Sequence, residues 1–385
     1  MKCTARLFAS VSVAFILSAA SAAYAQWTIE NSGTTADLRG VDNVGGGVAW
    51  ASGANGTVLR TEDGGYVWQS CSIPPDAEHL DFRGIQAFDA NTAIVMSSGK
   101  GDLSRLYKTT DGCHTWRLIF TNPDKDGFWD AIKFADGKHG YLFGDPVAVS
   151  GSASPRFELE ETYDGGENWT LWQRKIEGLK TTSDSCGFAA SNSTLLVVDQ
   201  YQSAFATGCM GGSLLYGAVN SGPGFCDCFP MPTEQEWNSL LFVSSGTAGP
   251  FPRSDSGGIF SIARTKYGTI VAVGGDYRTP DNAAGTSATT LDWGRSWWPA
   301  KTPPHGFRSA VAYDPDAKTW ITVGPNGTDI STDDGKNWRA LHPDAASHEA
   351  PDADRNWNAL SLPFVVGPHG RIGKLNPHAL QDAEH

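Results

Sequence analysis

Three arginines stand at the same place in three similar short segments and could together hold an anion. Arg39 follows Leu38, Arg83 follows Phe82, and Arg308 follows Phe307. A guanidinium group binds carboxylates and phosphates through paired N–H donors, so three of them on one surface predict a site for an anionic ligand or an acidic protein patch. The alternative is structural, in which each arginine pairs with a nearby aspartate (Asp42, Asp81 or Asp130) and holds neighbouring units in register.

Other candidate binding residues are expected on the same surface. Trp129 and Asn358 occupy corresponding positions in two further segments, and Asp145, Asp276 and Tyr277 lie in or beside the loops at about 148–156 and 277–288. Long loops on a rigid scaffold are frequent sites of binding. Asp145 and Asp276 could equally be turn formers.

A set of three arginines also suggests a glycoside hydrolase of the sialidase type, which would need further catalytic residues. No Tyr–Glu nucleophile pair stands out, and no two carboxylates can be assigned to the acid and base roles. Glu158, Glu160 and Glu161 lie on a predicted strand that leads away from the expected binding face. The sequence therefore predicts a binding protein with no catalytic residue, and a carbohydrate-active enzyme is the alternative.

Metal, cofactor and nucleic-acid chemistry are disfavoured. None of the nine histidines stands at metal-ligand spacing from another, and no phosphate-binding glycine loop precedes a predicted helix. A net charge of −13 argues against nucleic acid as a partner. The expected ligand is a protein, with carbohydrate as the second choice, and no metal or cofactor is predicted.

A repeated turn positions these residues. The pattern S/T-x-D-x-G-x-x-W, known as the Asp-box, occurs five times, with the following Asp and Trp residues: Asp63 and Trp68, Asp111 and Trp116, Asp164 and Trp169, Asp292 and Trp297, Asp333 and Trp338. The Asp can accept backbone N–H bonds within its turn, the Gly can adopt positive φ, and the Trp can pack between sheets. Five copies of one turn cannot share one active site, so these residues are predicted to be structural. Cys113 replaces the Gly in the second copy.

The spacing of the boxes predicts a β-propeller. Their Asp residues are separated by 48, 53, 128 and 41 positions, and blades of about 40–50 residues are typical of propellers. The gap of 128 positions fits two units. The first of them is expected to open at Cys186 and to end in a degenerate box at 221–228. With the opening at Trp357 the count is seven four-stranded antiparallel blades, and a strand at Trp27 is expected to complete the last one. Loops entering first strands and joining second to third strands should share a face, opposite the Asp-box turns.

The openings at 82–85, 259–262 and 307–310, together with boxes such as 162–169, resemble those of the photosystem II assembly and stability factor propellers. That family lies within the wider sialidase-like Asp-box (BNR-like) group. The resemblance covers most of residues 26–375 and implies an exported, non-enzymatic propeller that binds and helps assemble protein partners.

The termini and cysteines predict an exported protein. Lys2, Arg6 and the apolar run that follows are typical of a signal peptide, with cleavage expected after Ala25. The predicted division is therefore a signal peptide at 1–25, a propeller at 26–375 and a tail at 376–385, in a periplasmic or secreted protein whose mature chain does not insert into a membrane. Cys186 and Cys209 are predicted to form a disulfide because they fall on one face of one blade. The pairing of Cys71, Cys113, Cys226 and Cys228 stays open.

Overall fold

The computed structural model is an all-β propeller of four-stranded antiparallel sheets. It describes residues 26–151, 154–171, 185–199, 202–209, 212–218, 243–244, 249–343 and 347–381. In the sheets that follow chain order, each strand pairs with the next one along the chain, so every blade is a meander. Blades are numbered here by their order in the chain.

The first three blades contain the following strands. Blade 1 has β2 (Leu38–Gly45), β3 (Val48–Gly53), β4 (Val58–Thr61) and β5 (Gln69–Ser70). Blade 2 has β6 (Phe82–Ala87), β7 (Ala93–Ser97), β8 (Arg105–Thr109) and β9 (Arg117–Thr121). Blade 3 has β10 (Trp129–Phe134), β11 (Gly140–Val147), β12 (Arg156–Thr162) and β13 (Thr170–Leu171).

The remaining sheets complete the ring. Blade 4 has β14 (Leu195–Asp199), β15 (Gln202–Ala206), β16 (Leu214–Ala218) and β17 (Val243–Ser244). Blade 5 has β18 (Gly257–Arg264), β19 (Ile270–Asp276), β20 (Ser287–Thr290) and β21 (Trp298–Pro299). Blade 6 has β22 (Ala310–Asp314), β23 (Thr319–Gly324), β24 (Gly327–Ser331) and β25 (Arg339–Ala340). Blade 7 has β26 (Ala359–Ser361), β27 (Phe364–Val366), β28 (Ile372–Leu375) and the N-terminal strand β1 (Trp27–Glu30).

The N-terminal strand closes the ring. β1 pairs antiparallel with β28, from Trp27 opposite Leu375 to Glu30 opposite Ile372. The ring of Trp27 is buried 5.9 Å from that of Trp357 in the same blade. Closure leaves no unpaired edge at the junction between the two ends of the chain.

The prediction of a seven-bladed propeller in which every unit, the fourth included, opens a strand at the predicted position is wrong, because six units follow this plan and the fourth does not. In those six, the innermost strand starts within three residues of the predicted opening. In the fourth unit the opening at Cys186 forms only an isolated bridge with Gly208, and the first strand begins later, at Leu195. The intervening residues run through the centre of the ring, as described below. The degenerate box predicted at 221–228 lies outside the described residues.

Apolar side chains fill the spaces between neighbouring sheets. Trp50 of blade 1 packs with Phe82 and Tyr107 of blade 2, and Trp68 of blade 1 packs with Phe364 of blade 7. Burial of large aromatic rings is a main source of stability in such interfaces. The Trp residues of the boxes take part in these contacts, with Trp68, Trp116 and Trp338 buried.

The five Asp-box turns share one hydrogen-bond pattern. In the first, the Thr61 hydroxyl donates to Asp63 Oδ1 at 2.8 Å and accepts the Gly65 N–H at 3.0 Å, while Asp63 Oδ1 accepts the Val67 N–H at 3.0 Å. The residue at the Gly position has positive φ in every copy, including Cys113 at 65°. These hydrogen bonds engage the box carboxylates within their own turns.

Two disulfides are present in the described residues. Cys186 and Cys209 are bonded to each other at the entrance to blade 4. Cys71 and Cys113 form the second bridge, which ties the end of blade 1 to the box turn of blade 2. The sequence had left this pairing open, and Cys226 and Cys228 lie outside the described residues.

The segment predicted as a C-terminal tail begins with a short helix, α1 (His378–Gln381). Its Leu380 is buried against the cluster that contains Trp27 and Trp357. No helix in the described part of the chain has the length and apolar character needed to cross a bilayer.

Candidate functional site

One backbone contact identifies equivalent positions where the first strand of each blade begins. The face of the propeller at these strand starts is called the upper face here. In five blades a glycine near the end of the second strand packs against a backbone carbonyl near the start of the first strand: Gly53 against Asp37, Gly144 against Phe128, Gly274 against Gly258, Gly324 against Phe307 and Gly367 against Asn356. In blade 2 the Ser98 N–H donates to the Asp81 carbonyl just as the Ala54 N–H donates to that of Asp37. In each blade, the residue that follows the one contributing this carbonyl is called the core position, and the residue after that is called the rim position.

The rim positions do not carry three arginines. In blades 1, 2, 3, 5, 6 and 7 they are occupied by Arg39, Arg83, Asp130, Phe260, Ser309 and Asn358. In blade 4 the corresponding carbonyl is that of Cys186, which accepts the Gly208 N–H, so the rim position there is Phe188. In blades 1, 2, 3 and 5 the rim residue is skipped in the pairing of the first two strands, which is a β-bulge. Bulges redirect a side chain out of the regular alternation of a strand.

The prediction that Arg308 lies at the rim is wrong. Arg308 occupies the core position and is fully buried. Its Nε donates to Asp329 Oδ2 at 2.8 Å, and its other nitrogens contact His305 Nδ1 and Asn326 Oδ1. Burial lowers the pKa of Arg308 and the ion pair with Asp329 opposes that effect. Arg308 is therefore a structural residue, but its partner is Asp329 of its own blade and not one of the aspartates predicted for that role.

Trp129 is also a core residue, contrary to its predicted place in the channel. It is fully buried and stacks on Phe120 at 5.3 Å. The sequence register was displaced by one residue in this unit, and Asp130 occupies the rim position instead.

Arg39 and Arg83 remain as a pair at the rim, on adjacent blades. Arg83 Nε donates to Asp81 Oδ2 at 2.8 Å, and Arg39 Nε lies 3.7 Å from Asp81 Oδ1. Arg39 also approaches Asp37 at 3.7 Å. Their side chains are 30% and 33% exposed, so each guanidinium keeps a solvent-facing portion that a ligand could reach.

The centre of the ring is filled by residues 189–193. Asn192 donates to the Ile85 carbonyl of blade 2 at 3.1 Å and accepts the Ile132 N–H of blade 3 at 2.8 Å. Ser191 donates to the Ser309 carbonyl of blade 6 at 2.9 Å. One short segment can reach the first strands of blades 2, 3 and 6 only from the centre. A ligand on this face therefore contacts residues 189–193 at the centre of the ring.

Arg83 connects the rim to this central segment, because its Nη1 donates to the Ala189 carbonyl at 3.2 Å. The guanidinium group is therefore oriented by Asp81 on one side and by the central segment on the other. An arginine fixed in this way loses less conformational entropy when it binds a further anion.

Several carboxyl groups of blade 3 cluster beside Arg83 of blade 2, and sequence reasoning missed most of them. Asp130 is buried and its Oδ2 has no hydrogen-bond partner among the described residues. A Cβ at residue 187 would lie 2.0 Å from that oxygen, and the Gly187 N–H donates to Asp145 Oδ1 at 2.7 Å. Asp130 and Asp145 thus converge on Gly187. The alternation of buried and exposed positions cannot reveal this cluster, because Asp130 and Asp145 each stand at a bulge.

Burial holds protons on this cluster. Burial raises the pKa of Asp130 well above its usual value, and the nearby charges of Asp145 and Glu158 add to the effect. Burial also raises the pKa of Asp145, opposed by the bond from Gly187. The pKa of Glu158 is raised to about 7 by burial, opposed by hydrogen bonds from Asn122 and the Phe128 N–H. At neutral pH the cluster carries less negative charge than its composition suggests.

Aromatic side chains form the opposite part of the rim. The Phe188 and Phe260 rings stack at 3.8 Å, and Phe307 meets Phe260 edge-on at 4.7 Å. Tyr277, 46% exposed, lies edge-on to Phe260 at 6.1 Å. This aromatic cluster (Phe188, Phe260, Tyr277, Phe307) contains one predicted binding residue, Tyr277.

The other predicted residues have local partners. Asp276 accepts hydrogen bonds from the Ser254 hydroxyl at 2.7 Å and the Arg278 N–H at 2.9 Å, as a turn former does. Burial opposes ionisation of Asp276, but these bonds lower its pKa. Asn358 donates to the Leu38 carbonyl at 2.8 Å and joins blade 7 to blade 1.

The described residues contain no group of three or more His, Cys, Asp or Glu side chains arranged to hold a metal ion. The rim therefore consists of two chemically distinct parts around a closed centre. The Arg39–Arg83 pair supplies positive charge, and the aromatic cluster supplies apolar surface through Tyr277 and the half-buried Phe188, since Phe260 and Phe307 are buried.

Comparison with known proteins finds solved structures that share the fold of this chain. The chain matches no protein-family profile and no curated protein. A structure of YCF48 bound to D1 peptide is 17% identical and superposes with a TM-score of 0.58, covering 92% of this chain and 97% of that one. YCF48 from Cyanidioschyzon merolae gives the same identity and TM-score. The predicted resemblance to assembly-factor propellers is confirmed at the level of the fold.

A second group of similar structures consists of enzymes. The GH74 xyloglucanase from Xanthomonas campestris is 15% identical with a TM-score of 0.59, and the match covers 93% of this chain but 54% of that one. Identities this low establish the shared architecture alone. The wider sialidase-like grouping stays a prediction.

Proposed function

We propose that this chain is an exported, non-enzymatic propeller that binds a protein partner on its upper rim. The observation that carries the proposal is the Arg39–Arg83 pair, in which two part-exposed guanidinium groups on adjacent blades are held by the Asp81 carboxylate. The aromatic cluster lies across the filled centre of the ring. A polypeptide with an acidic group near an apolar side chain matches both parts of this rim.

The fold likeness supports the same choice. A propeller of this architecture has been captured with a bound peptide, and extended peptides commonly dock on rigid all-β scaffolds by combining charge contacts with side-chain pockets. The filled centre favours a ligand that lies across the face over one that enters a channel.

Binding can be tested with a fluorescent peptide that combines glutamates with one phenylalanine. The double variant Arg39→Ala, Arg83→Ala should weaken binding at least tenfold, because it removes both cations of the rim. Arg117→Ala is the matched control, since Arg117 is 60% exposed, pairs with Glu167 and follows a box Trp on the opposite face. Equal affinity of the double variant and the control would contradict the proposal. Circular dichroism establishes that each variant is folded.

Glycoside hydrolysis is the second candidate, supported by the carboxyl cluster. A general acid needs a raised pKa, and Glu158, with a pKa of about 7, meets that requirement. However, Glu158 is 4% and Asp130 1% exposed, which leaves little surface for a sugar to contact. Turnover of xyloglucan or a sialoside by the wild-type chain, lost in Glu158→Gln, would replace the binding proposal with this one.

A further inference from the structure

Glu349 clamps the start of the closing strand. Its Oε2 accepts the backbone N–H of Gln26 at 2.9 Å and its Oε1 accepts that of Trp27 at 2.7 Å. Along the chain, Glu349 is 323 residues from Gln26 and 322 residues from Trp27. One carboxylate therefore uses both oxygens to hold two consecutive nitrogens.

The backbone of Gln26 is also held from its other side. The Asn376 N–H donates to the Gln26 carbonyl at 2.9 Å, just beyond the pairing of β1 with β28. The position of the Gln26 nitrogen is thus fixed by β1, by Asn376 and by Glu349. Gln26 is also the first residue after the cleavage site predicted at Ala25.

We propose that Glu349 is a binding site for the α-ammonium group that cleavage between Ala25 and Gln26 would release. Cleavage converts a neutral amide nitrogen into a cation at a point where a carboxylate oxygen already lies within hydrogen-bond distance. A charge-assisted bond is stronger than the neutral one it replaces. Processing of the precursor would therefore strengthen the attachment of the closing strand. The inference rests on the proposed export of the chain, and it is independent of partner binding at the rim.

The same contact protects Gln26 from cyclisation. An amino-terminal glutamine cyclises when its neutral α-nitrogen attacks the side-chain Cδ, which forms an N–Cδ bond, breaks the Cδ–Nε2 bond and releases ammonia. A carboxylate beside the α-amine favours the protonated form, which cannot attack. If the pairing raises the pKa of the α-amine by one unit, the neutral fraction falls about tenfold. Loss of Glu349 should then speed the release of ammonia by about that factor.

The test compares two purified chains, one beginning at Gln26 and one that keeps Tyr24 and Ala25, each with Glu349 or with Glu349→Gln. Below pH 7 the chain beginning at Gln26 should melt about 1–3 °C higher than the longer chain. This difference should vanish in Glu349→Gln, and it should fade as the pH rises above about 8, where an α-amine loses its proton. Glu78→Gln, which removes an exposed carboxylate, is the control and should leave the difference intact.

Several results would overturn the inference. Identical melting of the two chains at every pH, or an equal loss in both on Glu349→Gln, would mean that Glu349 is an ordinary acceptor of two amide N–H groups. Mass spectrometry measures the loss of ammonia from Gln26. An unchanged rate in Glu349→Gln would refute the proposal that Glu349 protects Gln26 from cyclisation. A first residue other than Gln26 in the exported protein would break the link to processing, while the rim-binding experiment would be unaffected.

Discussion

Arg39 and Arg83 approach the two oxygens of one carboxylate, that of Asp81, from neighbouring blades. The shorter contact, 2.8 Å, is made by Arg83, and Arg39 lies 3.7 Å away. Asp81 therefore orients the pair and also partly neutralises it. Its removal should separate these two effects.

Asp81→Asn should strengthen binding of the acidic peptide severalfold at low salt, because it removes the carboxylate that both arginines share and leaves Asp37, near Arg39, as their one remaining ion-pair partner in the described residues. The gain should shrink as the salt concentration rises. Stability should change by less than about 1 kcal/mol, since the pairs are partly exposed. Fluorescence anisotropy across a salt series measures the first effect and urea unfolding the second. Weaker binding in the variant would indicate that orientation by Asp81 matters more than its charge.

Arg308→Met should destabilise the fold strongly. Arg308 is fully buried, and its replacement leaves the buried Asp329 without its main cation. Breaking a buried pair in this way typically costs about 3–5 kcal/mol. Arg278→Met provides the comparison, because Arg278 is 59% exposed in its pair with Asp255, and a surface change of this kind should cost at most about 0.5 kcal/mol. Urea unfolding of both variants measures the difference, and similar midpoints would rule out the assigned role of Arg308.

Glu160→Gln should stabilise the protein at pH 8 and flatten its pH dependence. Burial and then the charge of Glu158 raise the pKa of Glu160 to about 8, and its Oε2 has no partner among the described residues. A raised acid pKa means that the folded state binds more protons than the unfolded state. Stability from this group is therefore present below its unfolded pKa of about 4.3 and is lost as the pH rises toward 8.

The expected gain for Glu160→Gln at pH 8 is on the order of 1–3 kcal/mol, and it should disappear below about pH 4. Urea unfolding at a series of pH values provides the measurement. The half-buried Glu161 of the same strand serves as the control, because its carboxylate, unlike that of Glu160, accepts a hydrogen bond from the Tyr163 hydroxyl at 2.7 Å. A gain that is independent of pH would point to packing instead of ionisation.

Cys113 should be replaceable by glycine at a lower cost than by serine. Both Cys71→Ser, Cys113→Gly and Cys71→Ser, Cys113→Ser lose a bridge that closes a loop of 42 residues, and loss of a native disulfide typically costs about 2–5 kcal/mol. Residue 113 has a φ of 65°, which glycine adopts without steric cost. The glycine variant should therefore be more stable by about 1 kcal/mol. Thermal unfolding of the two double variants tests this, and equal stability would contradict it.

The sequence was informative where a pattern repeats and misleading where one residue shifts the register. The five boxes, from Asp63 to Asp333, located the third strands of five blades because one turn geometry requires the same side chains each time. Phe307-Arg308 has the same letters as Phe82-Arg83, yet Phe82 and Arg308 share the core position. A single-residue displacement carries no compositional signal, so the burial of Arg308 and of Trp129 was unpredictable.

The fourth unit illustrates a second limit. Cys186 takes the place expected for a blade opening, but residues 189–193 then cross the centre before Leu195 begins the strand. Asn192 and Ser191 bond to first strands that are far away in the chain, and pairings of that kind depend on the closed ring. Local propensity therefore favours an ordinary strand start, and the tertiary contacts override it.

The strand order of blade 7 means that the ring cannot close until β28 has been synthesised. Among the described strands, Trp27–Glu30 comes first along the chain and its neighbour Ile372–Leu375 comes last. A nascent chain halted anywhere between them carries an uncovered indole and an open strand edge near its amino end, features that promote aggregation. Solvent exposure of Trp27 therefore distinguishes a chain that still lacks β28 from one whose ring is closed.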